Sequence, residues 1–266
     1  MSESLEEVYY KPYDHETVSY RGLLFSEDGF KEYISSRVKE KFDDTDWTMQ
    51  LASEAEEALL ETGFSAENLM DIFTNREMEN NWRIGEYLAE SILEDRYNVK
   101  FYYNNSRDAK NPMGNDTGAD LVGLCDIDGE ICFLFGEVKT SSDNDTPPNV
   151  LYGKSGMIKQ LEVLRDSEIK RNDLVRWIWG KAVSIRGEFK TDCSNALKSY
   201  QLSNRSKVKL IGVLVRDTDV TVKDLHSRAK TLNSNVPTGM VIELMGLYSG
   251  YGMNNDNWIN ALNRSG

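Results

Sequence analysis

Two acidic residues and one lysine stand on neighbouring apolar runs that are typical of paired β-strands. Asp120 belongs to the first run, and Glu137 and Lys139 close the second. Asp128-Gly129 separates the runs, and this dipeptide favours a two-residue type I′ hairpin turn, because both turn positions need positive φ. In the register that this turn sets, Asp120 lies opposite Glu137, and Lys139 shares the face of Glu137.

This arrangement indicates metal-assisted chemistry. Two carboxylates that face each other across a strand pair repel, and burying them costs more free energy unless a cation pairs with them. Carboxylate oxygens suit Mg²⁺ or Mn²⁺. A lysine beside the ion can hold or polarise a water and offset phosphate charge, as phosphodiester hydrolysis requires. The alternative is two unrelated acids and a solvated lysine at strand ends, since Glu-x-Lys alone is a common pattern.

The order of Asp120, a strand, and then Glu137-x-Lys139 resembles the PD-(D/E)xK nuclease superfamily. The proline of the family motif is absent, because Asp120 follows Gly118-Ala119. The resemblance implies an α/β fold whose PD-(D/E)xK core is a central mixed sheet flanked by helices. It also implies a Mg²⁺-dependent (or Mn²⁺-dependent) endonuclease that hydrolyses the phosphodiester bonds of DNA.

The other parts of the family pattern follow in order along the chain. Asn81–Tyr97 is predicted to be the first helix, Asn98–Asn104 the first strand, and Ser155–Ser167 the helix after the site. The resemblance gives Glu86, on the first helix, the role of binding a second metal ion or holding a water; otherwise it is an ordinary exposed acid. Gln160 is the candidate orienting residue, and its alternative role is that of a surface residue.

The resemblance also implies roles at the strand pair. Asp120, one oxygen of Glu137 and the backbone carbonyl of Val138 are expected to bind Mg²⁺. The side chain of Val138 is expected to point to the opposite face and to enter the core. Lys139 is expected to orient or activate the attacking water and to offset the charge of the transition state.

A narrower resemblance rests on the pattern of the whole chain. An acidic N-terminal part is followed by GEYLAE, GADLVG and GEVKTS, an order similar to that of the HamA family, the nuclease subunits of the bacterial Hachiman anti-phage defence system. The resemblance implies DNA and a HamB-like helicase subunit, in a heterodimer, as partners. Two alternatives stay open: a type II restriction endonuclease with the same site, and a non-catalytic nuclease-fold subunit that binds DNA or a partner.

Charge divides the chain unevenly. The formal net charge is −13, and residues 1–80 hold 7 Lys and Arg against 20 Asp and Glu. Residues 151–230 hold 17 against 9, so we expect the DNA to lie there, although solvated helix faces would give the same count. We therefore predict an acidic, mainly α-helical N-terminal lobe over 1–80, regulatory or partner-docking, and a PD-(D/E)xK nuclease-like domain over 81–266.

Two further strands complete the predicted sheet. Lys207–Asp217 and Met240–Tyr248 are apolar runs, and Asp224–Lys230 between them has a helical pattern. Strand, helix and strand indicate a βαβ unit with parallel strands, so the sheet should be mixed.

Composition favours a folded, cytoplasmic protein. Hydrophobic residues make up 39% of the chain, and no run reaches the roughly 18 apolar residues of a membrane helix. The N-terminus is acidic and lacks the apolar region of a secretory signal. Three cysteines are expected to be small buried hydrophobes in a reducing compartment, with Cys125 facing Cys132 in the hairpin and Cys193 elsewhere.

Three loop features are further candidate sites. Arg107 and Lys110 could contact a phosphate backbone, although a solvated connection is the alternative. Asp143 and Asp145 follow the Glu-x-Lys strand and resemble extra metal ligands, but surface acids fit them better. Gly153–Gly156 (GKSG) lacks the glycine spacing of a P-loop, which excludes nucleotide hydrolysis by that motif.

Overall fold

The computed structural model describes residues 4–59, 80–103 and 118–264. Six strands form one mixed sheet: β1 (Leu5–Lys11), β2 (Ser19–Phe25), β3 (Leu121–Ile127), β4 (Glu130–Ser141), β5 (Val208–Arg216) and β6 (Val241–Tyr248). Their order across the sheet is β1-β2-β6-β5-β4-β3. β2, β6, β5 and β4 are parallel to one another, whereas β1 and β3 are antiparallel strands at the two edges.

Helices cover both faces of this sheet. They are α1 (Glu27–Tyr33), α2 (Lys39–Asp43), α3 (Thr45–Leu59), α4 (Asn81–Tyr97), α5 (Met157–Asp166), α6 (Glu168–Ile185), α7 (Gly187–Leu202), α8 (Lys223–Leu232) and α9 (Asn257–Leu262). A π-helical turn, Ile34–Val38, joins α1 to α2. The apolar side chains of α5 to α8 pack on one face, and those of α1, α4 and α9 pack on the other. The chain is therefore an α/β protein with a six-stranded sheet between helical layers.

Alternation along β4 sends its side chains to these two layers. Phe133 and Phe135 enter the core beneath α5 and α7, whereas Leu134 and Val138 enter the core beneath α4. Val138 is 4% exposed, so its predicted core position is confirmed. The period of two then places Glu137 and Lys139 on the face of Phe135, beneath α5.

The hairpin register is confirmed. Leu121 pairs with Gly136, and Cys125 pairs with Cys132. Asp128 has φ of 55° and Gly129 has φ of 82°, the left-handed conformation that the turn requires. The Gly129 N–H also donates to the side chain of Asp126 at 2.8 Å, which stabilises the reversal.

The helix and the βαβ unit predicted from the sequence are also confirmed. α4 spans Asn81–Tyr97, begins where the Asn80 side chain accepts from the Arg83 N–H at 2.9 Å, and ends at left-handed Asn98. β5, α8 and β6 form the predicted parallel unit.

The predicted strand over Asn98–Asn104 is wrong where the structure describes it, up to residue 103. Only Lys100 forms a bridge, to Leu124 on β3. The segment starts from the end of α4, where the Val99 N–H donates to the Leu93 carbonyl. Its backbone pairs with β3 only at this bridge, and its side chains make the other contacts with β3. The aromatic residues that suggested a strand serve as packing and hydrogen-bonding groups instead.

The N-terminal segment contains strands that belong to the central sheet. β2 pairs with β6 in parallel, and Phe25 and Phe30 lie in the same apolar cluster as Ile84 of α4. The sheet therefore continues across the predicted boundary at residues 80 and 81. The sequence also predicts a short helix over residues 65–73, and this segment lies outside the described residues. Among the described helices, none has the length and apolar character that a membrane crossing needs.

Replacing Gly136 with alanine should destabilise the sheet. An added Cβ would overlap the backbone carbonyl oxygen of Ile211, the residue paired with Gly136 on β5. Because a backbone atom cannot rotate away, we expect the free energy of unfolding in denaturant titrations to fall by about 1–3 kcal/mol.

Gly180→Ala is the matched control for this change. A Cβ at Gly180, inside α6, meets no heavy atom within 4 Å. Alanine there should leave stability unchanged or raise it by about 0.5–1 kcal/mol, because glycine weakens a helix interior. Equal losses in the two variants would contradict the close approach of β4 and β5.

Candidate active site

The Asp120 carboxylate bridges the end of β3 to β4. β3 begins at the next residue, so the backbone of Asp120 lies just outside the ladder. Its Oδ2 accepts a hydrogen bond of 2.9 Å from the backbone N–H of Val138. The N–H and C=O of a residue in an extended strand point toward the same side, so the Val138 carbonyl also faces the Asp120 side of β4.

Glu137 and Lys139 bring their charged ends to the same place. The Lys139 Nζ lies 3.2 Å from Glu137 Oε2 and 3.7 Å from Asp120 Oδ2. One ammonium group therefore contacts both carboxylates, and both acids act on the same side of the sheet. The side chain of Glu137 is 3% exposed, whereas those of Lys139 and Asp120 are 24% and 25% exposed. The cluster is thus closed at Glu137 and open to solvent beyond it.

The electrostatics of the cluster centre on the buried carboxyl group of Glu137, whose pKa is raised. Burial raises the pKa of Glu137 well above its usual range. The charge of Asp120 and a hydrogen bond between the two carboxyl groups raise this pKa further, whereas Lys139 lowers it. Burial alone would lower the pKa of Lys139, but Asp120 and Glu137 outweigh it, so that pKa is raised. Burial and the charge of Asp120 thus outweigh Lys139 at Glu137, so a proton or a further cation is favoured between the two carboxyl groups.

Glu86 approaches this cluster from α4. Gly85 allows α4 to lie against β4, because any larger side chain would overlap Thr140. The Glu86 carboxylate forms an ion pair of 3.0 Å with Arg83 on the same helix. Its charge also contributes to the raised pKa of Lys139. Glu86 therefore lies within electrostatic reach of the cluster, and its role as a metal ligand stays a prediction.

A cavity of about 150 Å³ opens beside Glu137, between β4 and helices α5 and α6. Gln160 lines it, and the Oε1 of Gln160 is buried with no hydrogen-bond partner in the described part of the chain. Lys154 and Lys170 line the same cavity, and neither ammonium forms an ion pair with the described residues. The cavity thus combines an acid, an amide and two available positive charges. The role of Gln160 stays a prediction.

The small number of carboxylates in the cluster suits Mg²⁺ better than it suits a metal ion whose ligands all come from protein side chains. Over residues 4–59, 80–103 and 118–264, no group of three or more His, Cys, Asp or Glu side chains could hold a metal ion. Mg²⁺ seldom uses such a cage, since it keeps several waters and binds one or two carboxylates together with substrate phosphates. Asp120, Glu137 and the carbonyl of Val138 would be the ligands here. A divalent cation would also offset the charge that raises the pKa of Glu137.

Asp143 and Asp145 shape the loop after β4, as surface acids rather than as part of the cluster. The Asp143 carboxylate accepts from the Asp145 N–H at 2.9 Å and from Asn149 at 2.7 Å. Arg216, which is fully buried, donates to the backbone carbonyls of Asp143 and Asp145 and pairs with Asp224 at 3.2 Å. The loop is therefore fastened to the end of β5 next to the candidate site.

Four residues of the site region were not singled out from the sequence. Lys154 and Lys170 fall inside the basic segment, whose charge is their common signal, and Lys154 also belongs to GKSG, which lacks the P-loop spacing. Glu90 and Tyr103 contact one another at 3.0 Å beside Asp120, and no spacing in the sequence indicates that contact. The predicted phosphate contacts at residues 107 and 110 lie outside the described residues.

Comparisons with known proteins do not assign the chain to a family. No family model matches it, and no curated protein matches it.

The raised pKa of Glu137 predicts a pH-dependent loss of stability without divalent ions. Above the usual glutamate pKa of 4.5, the unfolded chain releases a proton that the folded protein still holds. Stability therefore falls as the pH rises from that value through the folded pKa. Glu137→Gln cannot titrate, so its stability relative to wild type should grow toward neutral pH, by roughly 0.5–2 kcal/mol. Denaturant titrations in EDTA at several pH values measure this difference.

Glu243→Gln gives a control of opposite sign. Glu243 is buried on β6, but Lys209 and Arg21 outweigh its burial and lower its pKa. Its charge therefore stabilises the fold above the usual glutamate pKa, and this stabilisation is lost as the pH falls through the folded value. Glu243→Gln should be less stable than wild type at neutral pH. Stability changes of the same sign in both variants would contradict the electrostatics assigned to Glu137.

Proposed function

We propose that this protein is a metal-dependent DNA endonuclease with a PD-(D/E)xK core. The observation that carries the proposal is the convergence of Asp120 and Glu137 on one ammonium, with Lys139 Nζ at 3.7 Å and 3.2 Å from their oxygens. The mixed sheet, the Asp-Gly hairpin and helix α4 support the proposal, because the family pattern includes each of them. A protein with no use for a cation would gain little from placing a second carboxylate beside a buried one.

The roles of the residues follow from their positions. When bound, Mg²⁺ would supply Lewis-acid polarisation of the scissile phosphate and neutralise part of its charge. Asp120, Glu137 and the Val138 carbonyl would hold it at the end of β4. Glu137 must release its proton to act as a ligand, so metal binding should release protons. The Lys139 ammonium donates a hydrogen bond to the attacking water and offsets the charge that develops on the phosphoryl oxygens.

The cavity beside Glu137 supports a phosphate-bearing substrate. Lys154 and Lys170 bring two positive charges to its rim, and both belong to the basic segment 151–230. Neither charge is neutralised by a carboxylate among the described residues. Lysines and arginines that contact phosphates supply most of the affinity of proteins for nucleic acid. DNA is therefore proposed to lie across α5 and α6, with one phosphate next to Lys139.

The acidic N-terminal segment supports a partner as well as a substrate. Residues 1–80 carry 20 acidic residues against 7 basic ones, which disfavours contact with DNA. Together with the resemblance to the HamA family, this charge supports the docking of a HamB-like helicase subunit in an anti-phage defence complex. The helicase would deliver DNA to the site that the other half of the chain carries.

Plasmid cleavage tests the enzymatic proposal. Wild type should cut plasmid DNA with Mg²⁺ and not with EDTA, and Glu137→Ala and Lys139→Ala should each lose at least about 100-fold in rate. Lys209→Ala is a control, since Lys209 is a half-buried strand lysine paired with Glu243 rather than with the cluster. Mg²⁺-dependent cleavage that survives in Glu137→Ala and Lys139→Ala, each folded by circular dichroism, would refute the assignment.

The form of the products separates related activities. A smear of fragments on phage DNA fits an endonuclease delivered by a helicase, whereas a defined ladder would indicate a sequence-specific restriction endonuclease. DNA binding without any cleavage, with and without a helicase partner, would indicate a non-catalytic subunit.

Substitution of the cavity lysines tests the proposed DNA path. In EDTA, Lys154→Gln and Lys170→Gln should each weaken DNA binding at all sequences and reduce the slope of log affinity against log salt by about 1. Lys159→Gln is the control, because Lys159 lies on α5 with its charge paired to Glu162 at 3.1 Å. Fluorescence anisotropy over a salt series gives these slopes. An equal change in slope for Lys159→Gln would contradict the proposal that DNA lies across this cavity.

A further inference from the structure

One tyrosine hydroxyl meets three groups directly behind Asp120. The Tyr103 hydroxyl lies 3.0 Å from Glu90 Oε1, and it accepts from the backbone N–H of Val122 at 3.1 Å. It also lies 3.3 Å from the backbone carbonyl of Asp120 itself. The ring is 7% exposed and packs edge-on against Trp177, with 5.2 Å between ring centroids. The hydroxyl is thus fixed on both sides of Leu121, where β3 begins.

Glu90 holds this hydroxyl from α4. Its side chain is 1% exposed, which is a costly place for a carboxylate unless both oxygens are paired. Oε1 accepts from Tyr103 at 3.0 Å, and Oε2 lies 3.2 Å from the Lys41 ammonium of α2. Lys41 also pairs with Glu94 at 3.1 Å. A chain of charge-assisted contacts therefore runs from α2 through α4 to the backbone of Asp120.

The chain of contacts keeps the phenol protonated. Burial raises the pKa of Tyr103 well above its usual value, and the charge of Glu90 raises it further. The single phenolic proton is shared in a bifurcated hydrogen bond: Glu90 Oε1 is the nearer and charged acceptor, and the backbone carbonyl of Asp120 is the weaker one. The oxygen lone pairs accept from the Val122 N–H. The hydroxyl orientation is therefore set by Glu90.

The ladder of β3 and β4 does not extend to the backbone of Asp120. The Asp120 side chain is held on the other side by the Val138 N–H at 2.9 Å. We propose that Tyr103, held by Glu90 and Lys41, is a positioning residue that aims the Asp120 carboxylate at the metal-binding position. This inference rests on the proposed function for its purpose, but the positioning itself is a property of the protein without metal.

Tyr103→Phe against Tyr102→Phe is the matched comparison. Tyr102 is the adjacent residue, and its hydroxyl donates to Asp192 at 3.3 Å, away from Asp120. Each change removes one hydroxyl bonded to a carboxylate. Amide hydrogen exchange of the full-length protein, followed by NMR, reports the Val138 N–H that binds Asp120. Tyr103→Phe should speed exchange of that amide by about tenfold relative to wild type, and Tyr102→Phe should not.

Metal affinity gives the second readout. Mn²⁺ titrations followed by electron paramagnetic resonance should show an affinity about tenfold weaker in Tyr103→Phe, as loss of an outer-shell partner usually causes, and unchanged in Tyr102→Phe. Glu90→Ala should behave as Tyr103→Phe does. Glu90→Gln should restore most of the protection and affinity, because its amide oxygen still accepts from the tyrosine. A purely structural role would lower thermal stability in the alanine variant without this pattern at Val138.

The outcomes separate this inference from the proposed function. If Val138 exchange is the same in the Tyr103 and Tyr102 variants, the positioning role is overturned, whatever metal the protein binds. If exchange responds only in Tyr103→Phe but wild type binds no Mn²⁺, the positioning role stands and the metal-dependent function fails. If both readouts respond together, the two proposals are supported jointly.

Discussion

Glu137 is buried beside a second carboxylate, and the rest of the candidate site depends on how that charge is offset. Lys139 supplies a positive charge to the pair, and burial together with the charge of Asp120 still raises the pKa of Glu137. Groups with strongly perturbed pKa values cluster at functional sites, where a bound ligand offsets their charge, and this tendency supports the proposed role of the cluster. Phosphodiester hydrolysis uses a divalent cation and a phosphate, so the raised pKa of Glu137 and the charge of Lys139 are consistent with the proposed cofactor and the proposed substrate.

Contacts from the hairpin turn, from α4 and from the loop after β4 hold the cluster in position. The Asp-Gly turn sets the register that brings Asp120 to the end of β4. Gly85 lets α4 lie against Thr140, one residue beyond Lys139. Arg216 fastens the loop that follows β4 to the end of β5. Preorganised groups of this kind stabilise developing charge without rearranging during the reaction.

The sequence predicts the cluster because its geometry is local. One hairpin turn and the period of two place Asp120, Glu137 and Lys139, so no distant contact is needed. The parallel pairing of β2 with β6 could not be predicted in this way, because most of the chain lies between these two strands in the sequence and no local turn sets their register. The contact of Tyr103 with Glu90 was missed for a similar reason: aromatic residues after α4 favour a strand, and only tertiary packing turns the hydroxyl toward Asp120.

Anomalous diffraction from crystals soaked in Mn²⁺ tests the central claim most directly. We predict one strong peak at the end of β4, within about 2.0–2.6 Å of oxygens from both Asp120 and Glu137. The peak should be absent from Glu137→Gln crystals treated in the same way. A fully soaked wild-type crystal with no peak there, or with Mn²⁺ bound by only one of the two carboxylates, would contradict the account.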